Sequence, residues 1–263
     1  MTKSTTPQKR RTLLPWMGGK SKLANTIISK LPVHTTYVEP FCGGCAVFFR
    51  KERSKVEILN DRDNRLITLL RVMRYHPDEL LKELECLSHA RQEFNDAREF
   101  LGWTDIQKAA RCLLLIKSCF GARMRGPTFG YGLTGKAKFN QTDTLNIITA
   151  ARERLDGVTI ENLDFADVLA RYDSPDTLFY CDPPYIDTEQ YACEFTMADH
   201  ARLRDALMRA KGRAIISLND CAKVQDLYSG KGWHIEPVET TYSVGGKASD
   251  RAKRYGEVLI FRQ

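Results

Sequence analysis

The segment YVEPFCGGCAVFFRKERSKVEILND, residues 37–61, decides the fold class of this chain. Tyr37-Val38 predicts a short strand that leads into a glycine turn, Ala46–Phe49 is expected to open a helix, and Lys55–Leu59 predicts a second strand. A strand, a glycine turn, a helix and a further strand make up the first unit of a doubly wound sheet. The chain is therefore predicted to belong to the α/β class.

The rest of the chain continues this pattern after a long interruption. Residues from about 63 to 118 show amphipathic helical patterns, and a glycine-rich stretch follows them. Almost no strand signal occurs there, so this region is interpreted as a helical insertion. Sheet character then returns, and the predicted strands are Val158–Ile160, Thr177–Cys181, Ala214–Leu218, Ile235–Thr241 and Glu257–Phe261. Further helices are predicted over residues 21–31, 143–155, 199–210 and 222–230.

Composition excludes several classes of protein. With 263 residues, of which 43% are hydrophobic, the chain can bury a core, so wholesale disorder is excluded. No run approaches the roughly 18 apolar residues of a membrane helix, and the first residues do not resemble a signal peptide, so a cytoplasmic protein is expected. The eight cysteines are expected to be free thiols. Cys42 and Cys45 lack a second ligand pair, so no metal site is predicted.

Positive charge is concentrated in two glycine-containing segments. The net charge is +7, and no acidic residue occurs from Lys117 to Thr142. A second basic cluster, residues 247–254, contains a single acidic residue, Asp250. Such clusters are typical of a surface that binds a polyanion, although two solvated loops would give the same pattern.

The motif Asp182-Pro183-Pro184-Tyr185 carries the strongest chemical signal. It follows the apolar run Thr177–Cys181, at the strand end where α/β sheets bind ligands. The two prolines stiffen the turn, so a carboxylate, a backbone carbonyl and an aromatic ring are expected side by side. The four residues alone also fit an ordinary strand-ending turn, but their position after a buried strand and downstream of a glycine turn favours a functional site.

Upstream features could complete a ligand site on the same sheet. The turn Phe41–Cys45 lacks the third glycine of the dinucleotide fingerprint, but its glycines allow a ligand to approach the backbone closely. Asp61 follows at roughly the interval at which a strand-end acid meets a ribose. Trp16 and Lys20 could offer a stacking plane and a cation. Taken singly, these residues also fit a tight turn, a helix cap, a core aromatic residue and a solvated charge.

Together, these motifs closely resemble the Dam-type DNA adenine-N6 methyltransferases of the D12 class. The resemblance rests on PWMGGK at residues 15–20, VEPFCGG at 38–44, ILND at 58–61 and CDPPY at 181–185, and it covers about residues 13–263. It implies a Rossmann-like, S-adenosylmethionine-dependent methyltransferase sheet with an inserted helical target-recognition region. The implied organisation is a flexible basic tail (1–12), a catalytic domain (13–62 and 155–263) and a DNA-binding insertion (63–154).

The resemblance also implies a cofactor, a reaction and the residues for both. S-adenosylmethionine is the implied cofactor, and its binding residues carry over to Trp16, Lys20, Phe41, Gly43, Asp61, Asp164, Phe165 and Asp182. The implied reaction methylates the N6 amine of an adenine flipped out of double-stranded DNA, and the catalytic residues are Asp182, Pro183, Pro184 and Tyr185. We expect the Asp182 carboxylate and the Pro183 carbonyl to accept the amine hydrogens while Tyr185 stacks on the base. Cys45 departs from the family pattern, which usually has glycine there.

The basic segments then become candidate DNA contacts. Arg123, Arg125 and Asn140 are candidates for reading base edges, and Lys117, Lys136, Lys138, Lys247, Arg251 and Arg254 for binding phosphates. We expect a monomer whose partner is double-stranded DNA, without a metal or a membrane, located at the nucleoid through its DNA. The segment FGARMRGPTFGYG differs from the Dam-type pattern, so GATC is not assumed as the target.

Three alternatives stay open at the level of sequence. The same hydrogen-bonding motif could serve methylation of cytosine N4, of adenine in RNA or of a protein glutamine amide. A catalytically silent DNA-binding protein could use this scaffold, although the presence of Asp182, Tyr185, Lys20 and Asp61 argues against it. A nicotinamide dehydrogenase is disfavoured by the missing third glycine.

Overall fold

A seven-stranded sheet forms the centre of the molecule. The computed structural model describes residues 14–15, 20–120, 125–131, 137, 139–186, 194–230, 232–238 and 256–262. The strands in these ranges are β1 (Thr36–Glu39), β2 (Val56–Asn60), β3 (Thr159–Glu161), β4 (Thr177–Cys181), β5 (Arg213–Asn219), β6 (Trp233–Val238) and β7 (Glu257–Arg262). Their order is β3-β2-β1-β4-β5-β7-β6. Six of these strands run in one direction, and β7 runs in the opposite direction. The doubly wound α/β prediction is confirmed, because the order reverses between β1 and β4.

Helices occupy both faces of this sheet. In the described ranges they are α1 (Ala24–Ser29), α2 (Asn64–Tyr75), α3 (Pro77–Glu85), α4 (Arg91–Glu99), α5 (Asp105–Ser118), α6 (Gln141–Arg154), α7 (Phe165–Arg171), α8 (Met197–Arg209) and α9 (Ala222–Tyr228). Local sequence explains several of their starts. Thr104 and Gln107 form a capping box at α5, and the Asp63 side chain caps α2. None of these helices is long and apolar enough to cross a membrane.

Two hydrophobic clusters pack against opposite faces of the sheet, as the alternation of side chains along a strand requires. In β1, Tyr37 belongs to the first cluster and Val38 to the second. The first cluster also includes the buried residues of α2 to α6, so the helical region 63–154 shares a continuous core with the sheet. At residue 63, the expected start of the insertion, the secondary structure changes to helices, but the hydrophobic core continues without a break.

Two local predictions differ from the structure. The helix expected from Ala46–Phe49 is a series of turns over residues 46–50, and the buried Glu39 carboxyl accepts the Phe48 backbone N–H at 3.0 Å. The Arg50 N–H donates to the Val47 carbonyl, three residues earlier, so the four-residue spacing of α-helical bonds is interrupted there. The short helix α7 was not predicted, and it begins where the Asp164 side chain accepts the Ala166 N–H at 3.0 Å.

Candidate active site

The candidate site lies where the strand order reverses. Chains that leave β1 and β4 at their carboxyl ends diverge, and this crevice is the usual ligand site of an open α/β sheet. Pro40–Cys45 follows β1, Asp182–Tyr185 follows β4, and the two strands are hydrogen-bonded neighbours. The glycine turn and the Asp182–Tyr185 motif are therefore brought together at the carboxyl ends of the two central strands.

Asp182 is held by a buried lysine. Lys20 Nζ lies 2.7 Å from Asp182 Oδ1 and donates to Tyr185 Oη at 2.6 Å. The same ammonium lies 4.6 Å from the centre of the Tyr185 ring, and Lys20 is only 2% exposed. Lys20 thus contacts the first and last residues of the Asp182–Tyr185 motif, and its assignment to the cofactor stays a prediction.

Burial raises the pKa of the Asp182 carboxyl to about 6, Lys20 acts against this shift, and the nearby Glu257 carboxylate adds to it. Perturbed carboxyls in a cleft are typical of functional sites. The Asp182 carboxylate is therefore ionised above about pH 6 and can accept hydrogen bonds from a neutral donor.

Sequence reasoning did not identify Glu257, although it contacts the motif directly. Tyr185 Oη donates to Glu257 Oε1 at 2.8 Å, and Glu257 is 1% exposed. The run EVLIF predicted only that this residue begins a strand. A charged first residue in an otherwise apolar strand was the one available signal.

The glycine turn after β1 is fixed by the acid that follows β2. Gly43 N–H donates to Asp61 Oδ2 at 3.0 Å, and Asp63 N–H donates to Asp61 Oδ1 at 2.9 Å. Burial raises the pKa of Asp61 to about 6, and these backbone donors act against the shift. Gly43 has φ 44°, and Cys45 has φ 53°, in the left-handed region that favours glycine. Cys45 thus departs from the family pattern at a position where glycine would be unstrained.

A completely buried amide joins three segments around this turn. Asn60 Nδ2 donates to the Pro40 carbonyl at 2.8 Å and to the Leu163 carbonyl at 3.2 Å, while Leu163 N–H donates to Asn60 Oδ1 at 2.8 Å. The segments after β1 and β3 are therefore both tied to the end of β2.

Glu39, at the end of β1, was also missed by the sequence analysis. Besides the Phe48 N–H, its carboxyl accepts the Tyr37 hydroxyl at 2.6 Å, and burial raises the pKa of Glu39 to about 8. These bonds fold the glycine turn back onto β1.

Asp164 and Phe165 lie at the next strand end and have partners from α8. Arg202 Nη2 donates to both Asp164 oxygens, at 3.1 and 2.8 Å, and its guanidinium lies 4.4 Å from the centre of the Phe165 ring. Phe165 is 1% exposed, and its ring packs at 5.4 Å from Phe41 and 5.7 Å from Phe195. Phe41 and Phe165 thus share one aromatic cluster, while Trp16 lies outside the described residues.

Most candidate DNA contacts fall outside the described residues: Arg123, Lys136, Lys138, Lys247, Arg251 and Arg254. Arg125 is exposed, and burial lowers the pKa of the half-buried Lys117. Asn140 has a structural contact, since its side chain accepts the Asp143 N–H at 3.0 Å and caps α6. The structure thus assigns Asn140 a helix cap, and its role in reading base edges stays a prediction.

A basic and aromatic cluster beside the glycine-rich stretch was not identified from the sequence. The Arg91 guanidinium lies 4.9 Å from the centre of the Phe129 ring and 5.7 Å from that of Tyr131, which is 71% exposed. A bridge between Cys119 and Phe129 closes the base of the loop that carries Arg125. Exposed rings beside a cation are suited to contact nucleic acid.

No cluster of three or more potential metal ligands occurs among the described residues. Cys42 and Cys45 are both buried free thiols, and burial raises the pKa of each. A thiol in such surroundings stays protonated, which makes it a poor metal ligand.

Comparison with known proteins shows which protein family the chain matches. The family model of the D12 class N6 adenine-specific DNA methyltransferases matches residues 16–244. The type II methyltransferase M1.LlaDCHI of Lactococcus lactis subsp. cremoris is 26% identical, over 92% of each chain, and the DNA adenine methylase of Escherichia coli K12 is 25% identical, over 91% of each. A putative rRNA-methylase structure from Clostridium thermocellum matches with a TM-score of 0.44 at 10% identity, covering 98% of this chain and 99% of that one, which is too distant to bear on function.

Proposed function

Because the chain belongs to the D12 class of N6 adenine-specific DNA methyltransferases, we propose that it methylates the N6 amine of an adenine flipped out of double-stranded DNA. The observation that carries this assignment to particular residues is the buried contact of Lys20 with Asp182, 2.7 Å long, at the reversal point of the sheet. This contact holds a carboxylate at the strand end where a ligand would lie.

The residues around the glycine turn are suited to S-adenosylmethionine. Asp61 accepts backbone N–H groups of Gly43, Asp63 and Arg62, and a carboxylate offers about four lone-pair sites, so it keeps capacity to accept a ribose hydroxyl. The positive φ of Gly43 fits a turn that a ligand approaches closely. We propose that Phe41 and Gly43 hold the methionine side and that Asp164 and Phe165 meet the adenine ring, with Trp16 and Asp182 completing the set. When bound, this cofactor supplies an electrophilic methyl group.

Asp182 and Pro183 act on the substrate amine in this proposal. The exocyclic amine of adenine is a poor nucleophile because its lone pair is delocalised into the ring. Hydrogen bonds from its two N–H groups to the Asp182 carboxylate and the Pro183 carbonyl would localise that pair on nitrogen. Pro184 limits the freedom of the turn, and the Tyr185 ring would stack on the base. Much of the acceleration would come from this alignment.

Lys20 serves the carboxylate rather than the cofactor in this account. Its ammonium opposes the effect of burial on the pKa of Asp182, which favours the ionised form that accepts hydrogen bonds. Its contacts with Asp182 and Tyr185, at 2.7 and 2.6 Å, also hold these two residues in a fixed relation.

Access to the amine requires the adenine to leave the duplex, at a cost of roughly a few kcal/mol. Phosphate contacts from the basic segments would offset that cost. We propose Arg125 as a base-edge contact and Lys117 as a phosphate contact. Arg123, Lys136, Lys138, Lys247, Arg251 and Arg254 are proposed for the same surface on sequence alone.

Transfer of radiolabelled methyl groups to DNA tests the function. The purified enzyme should label unmethylated double-stranded DNA, and Asp182→Ala should abolish labelling while the fold is retained. Asp176→Asn is the matched control, because Asp176 is exposed next to the opposite end of β4 and should leave labelling unchanged. Equal labelling by the Asp182 variant, or labelling of RNA or protein in preference to DNA, would contradict the proposal. Expression in a methylation-free host, followed by single-molecule sequencing, would identify the target sequence.

A further inference from the structure

A buried carboxylate from the last strand reaches the catalytic motif. Glu257 is the first residue of β7, the strand that runs antiparallel to its neighbours. Its start therefore lies at the same edge as the ends of the parallel strands, and Glu257 pairs with Asn219 at the end of β5. The family match ends at residue 244, so Glu257 lies beyond the range that the family model covers.

The direction of the hydrogen bonds in this cluster follows from the chemistry of its groups. A lysine ammonium only donates and a carboxylate only accepts, whereas a tyrosine hydroxyl has one proton to give. Tyr185 gives that proton to Glu257, at 2.8 Å, and accepts from Lys20, at 2.6 Å. Lys20 also donates to Asp182, at 2.7 Å. The four side chains form one connected series in which the hydrogen bonds diverge from Lys20, toward Asp182 on one side and toward Tyr185 and Glu257 on the other.

We propose that Glu257 is a positioning residue for methyl transfer, which holds the Tyr185 hydroxyl and, through Tyr185 and Lys20, the Asp182 carboxylate. This inference rests on the proposed function of Asp182 and Tyr185. A carboxylate that is 1% exposed costs several kcal/mol unless it is compensated, so its presence beside this motif calls for a role there.

The charge of Glu257 affects a measurable quantity, the pKa of Asp182. A purely structural role of Glu257 would leave that pKa unchanged. The Glu257 carboxylate raises the pKa of Asp182, whereas Lys20 lowers it. The charge of Asp182 helps to raise the pKa of the buried Glu39 to about 8, so Glu39 is protonated in the range in which Asp182 titrates. Among the described residues, Tyr180 and Cys181 of β4 are the other titratable groups that interact with Asp182, and burial raises the pKa of both well above neutrality.

Glu257→Gln keeps a hydrogen-bond acceptor of the same length but removes the negative charge. Because Asp182 must be ionised, the acid limb of the kcat/KM profile, which reports groups of the free enzyme, should lie near pH 6 in the native enzyme and move to lower pH in this variant. Glu257→Asp keeps the charge but shortens the side chain by one carbon, so the limb should stay in place while kcat falls by about 10- to 100-fold. The KM for S-adenosylmethionine should change less than about twofold in both variants.

Two controls separate positioning from stability. Glu57 is also a buried glutamate, but it lies near the start of β2, at the opposite edge of the sheet, and pairs with Lys51 and Arg154. Glu57→Gln should lower the melting temperature without moving the acid limb. Combination with Tyr185→Phe forms a double-mutant cycle, and the loss in kcat caused by Glu257→Asp should largely disappear in that background.

Refutation takes distinct forms. If the native enzyme is active and the Glu257 variants differ from it only in melting temperature, as Glu57→Gln does, the positioning role is wrong while the proposed function stands. Additive losses in the cycle would likewise overturn it. A native enzyme that labels no DNA refutes the proposed function and this inference with it.

Discussion

Replacement of Asn60 by alanine tests how the segments that follow β1, β2 and β3 are held together at the carboxyl ends of these strands. Three hydrogen bonds, of 2.8, 3.2 and 2.8 Å, join the Asn60 side chain to Pro40 and Leu163, and the residue is 0% exposed. At about 1 kcal/mol for each bond, Asn60→Ala should lower the free energy of unfolding by about 3 kcal/mol. The melting temperature should fall by roughly 6–12 °C.

The measurement is urea denaturation together with calorimetric titration of S-adenosylmethionine. Because the lost bonds fix the segments after β1 and β3, cofactor affinity should fall along with stability. Asn140→Ala is the matched control: it removes the cap of α6 and should lower the free energy of unfolding by about 1 kcal/mol. It should leave cofactor affinity unchanged. A loss below about 1 kcal/mol in Asn60→Ala, with unchanged affinity, would refute this account of the turn.

Two further predictions concern the helical region and its DNA surface. Arg154→Ala removes two hydrogen bonds, of 2.5 and 2.9 Å, to the buried Glu57 carboxylate. The free energy of unfolding, measured by urea denaturation, should fall by about 3–5 kcal/mol. A loss under about 1 kcal/mol would show that Lys51 alone satisfies Glu57. Arg125→Ala should weaken binding to the cognate DNA site by about 1–3 kcal/mol, as measured by fluorescence anisotropy, with a smaller effect on random DNA. An equal loss on both DNAs would leave Arg125 as a phosphate contact only.

The fold could be predicted from the sequence because its signals are local. The run Thr177–Cys181 is buried at every position, its last four residues are hydrophobic, and two prolines follow soon after its end. One exception is Ala46–Phe49, where an apolar run suggested a helix. The helical spacing is interrupted at Arg50, whose N–H donates to the Val47 carbonyl, three residues earlier. The same segment is held by Glu39, which accepts the Phe48 N–H nine positions away, and no periodicity reveals such a contact.

The motifs predicted which residues would meet at the reversal point of the sheet, but they did not predict how those residues pair. Asp182, Tyr185 and Lys20 each lie in a recognisable stretch of sequence, and nothing in those stretches shows that one ammonium serves both of the other groups. The bond from Tyr185 to Glu257 spans 72 positions, and Arg202 is 38 positions from Asp164. Such pairings depend on strand order and direction, which are properties of the assembled sheet.

Strand direction explains why the last strand reaches the turn at Asp182–Tyr185. A parallel strand at the position of β7 would place its start, and any charge there, at the edge away from Asp182. The antiparallel β7 begins instead at the carboxyl edge of the parallel strands, where Gly256 accepts the Asp220 N–H at 2.8 Å. A carboxylate on its first residue therefore lies beside β4 and β5 without crossing the core. The charge of Glu257 raises the pKa of Asp182, and Lys20 lowers it. The protonation of the Asp182 carboxyl therefore depends on two residues that are far apart in sequence.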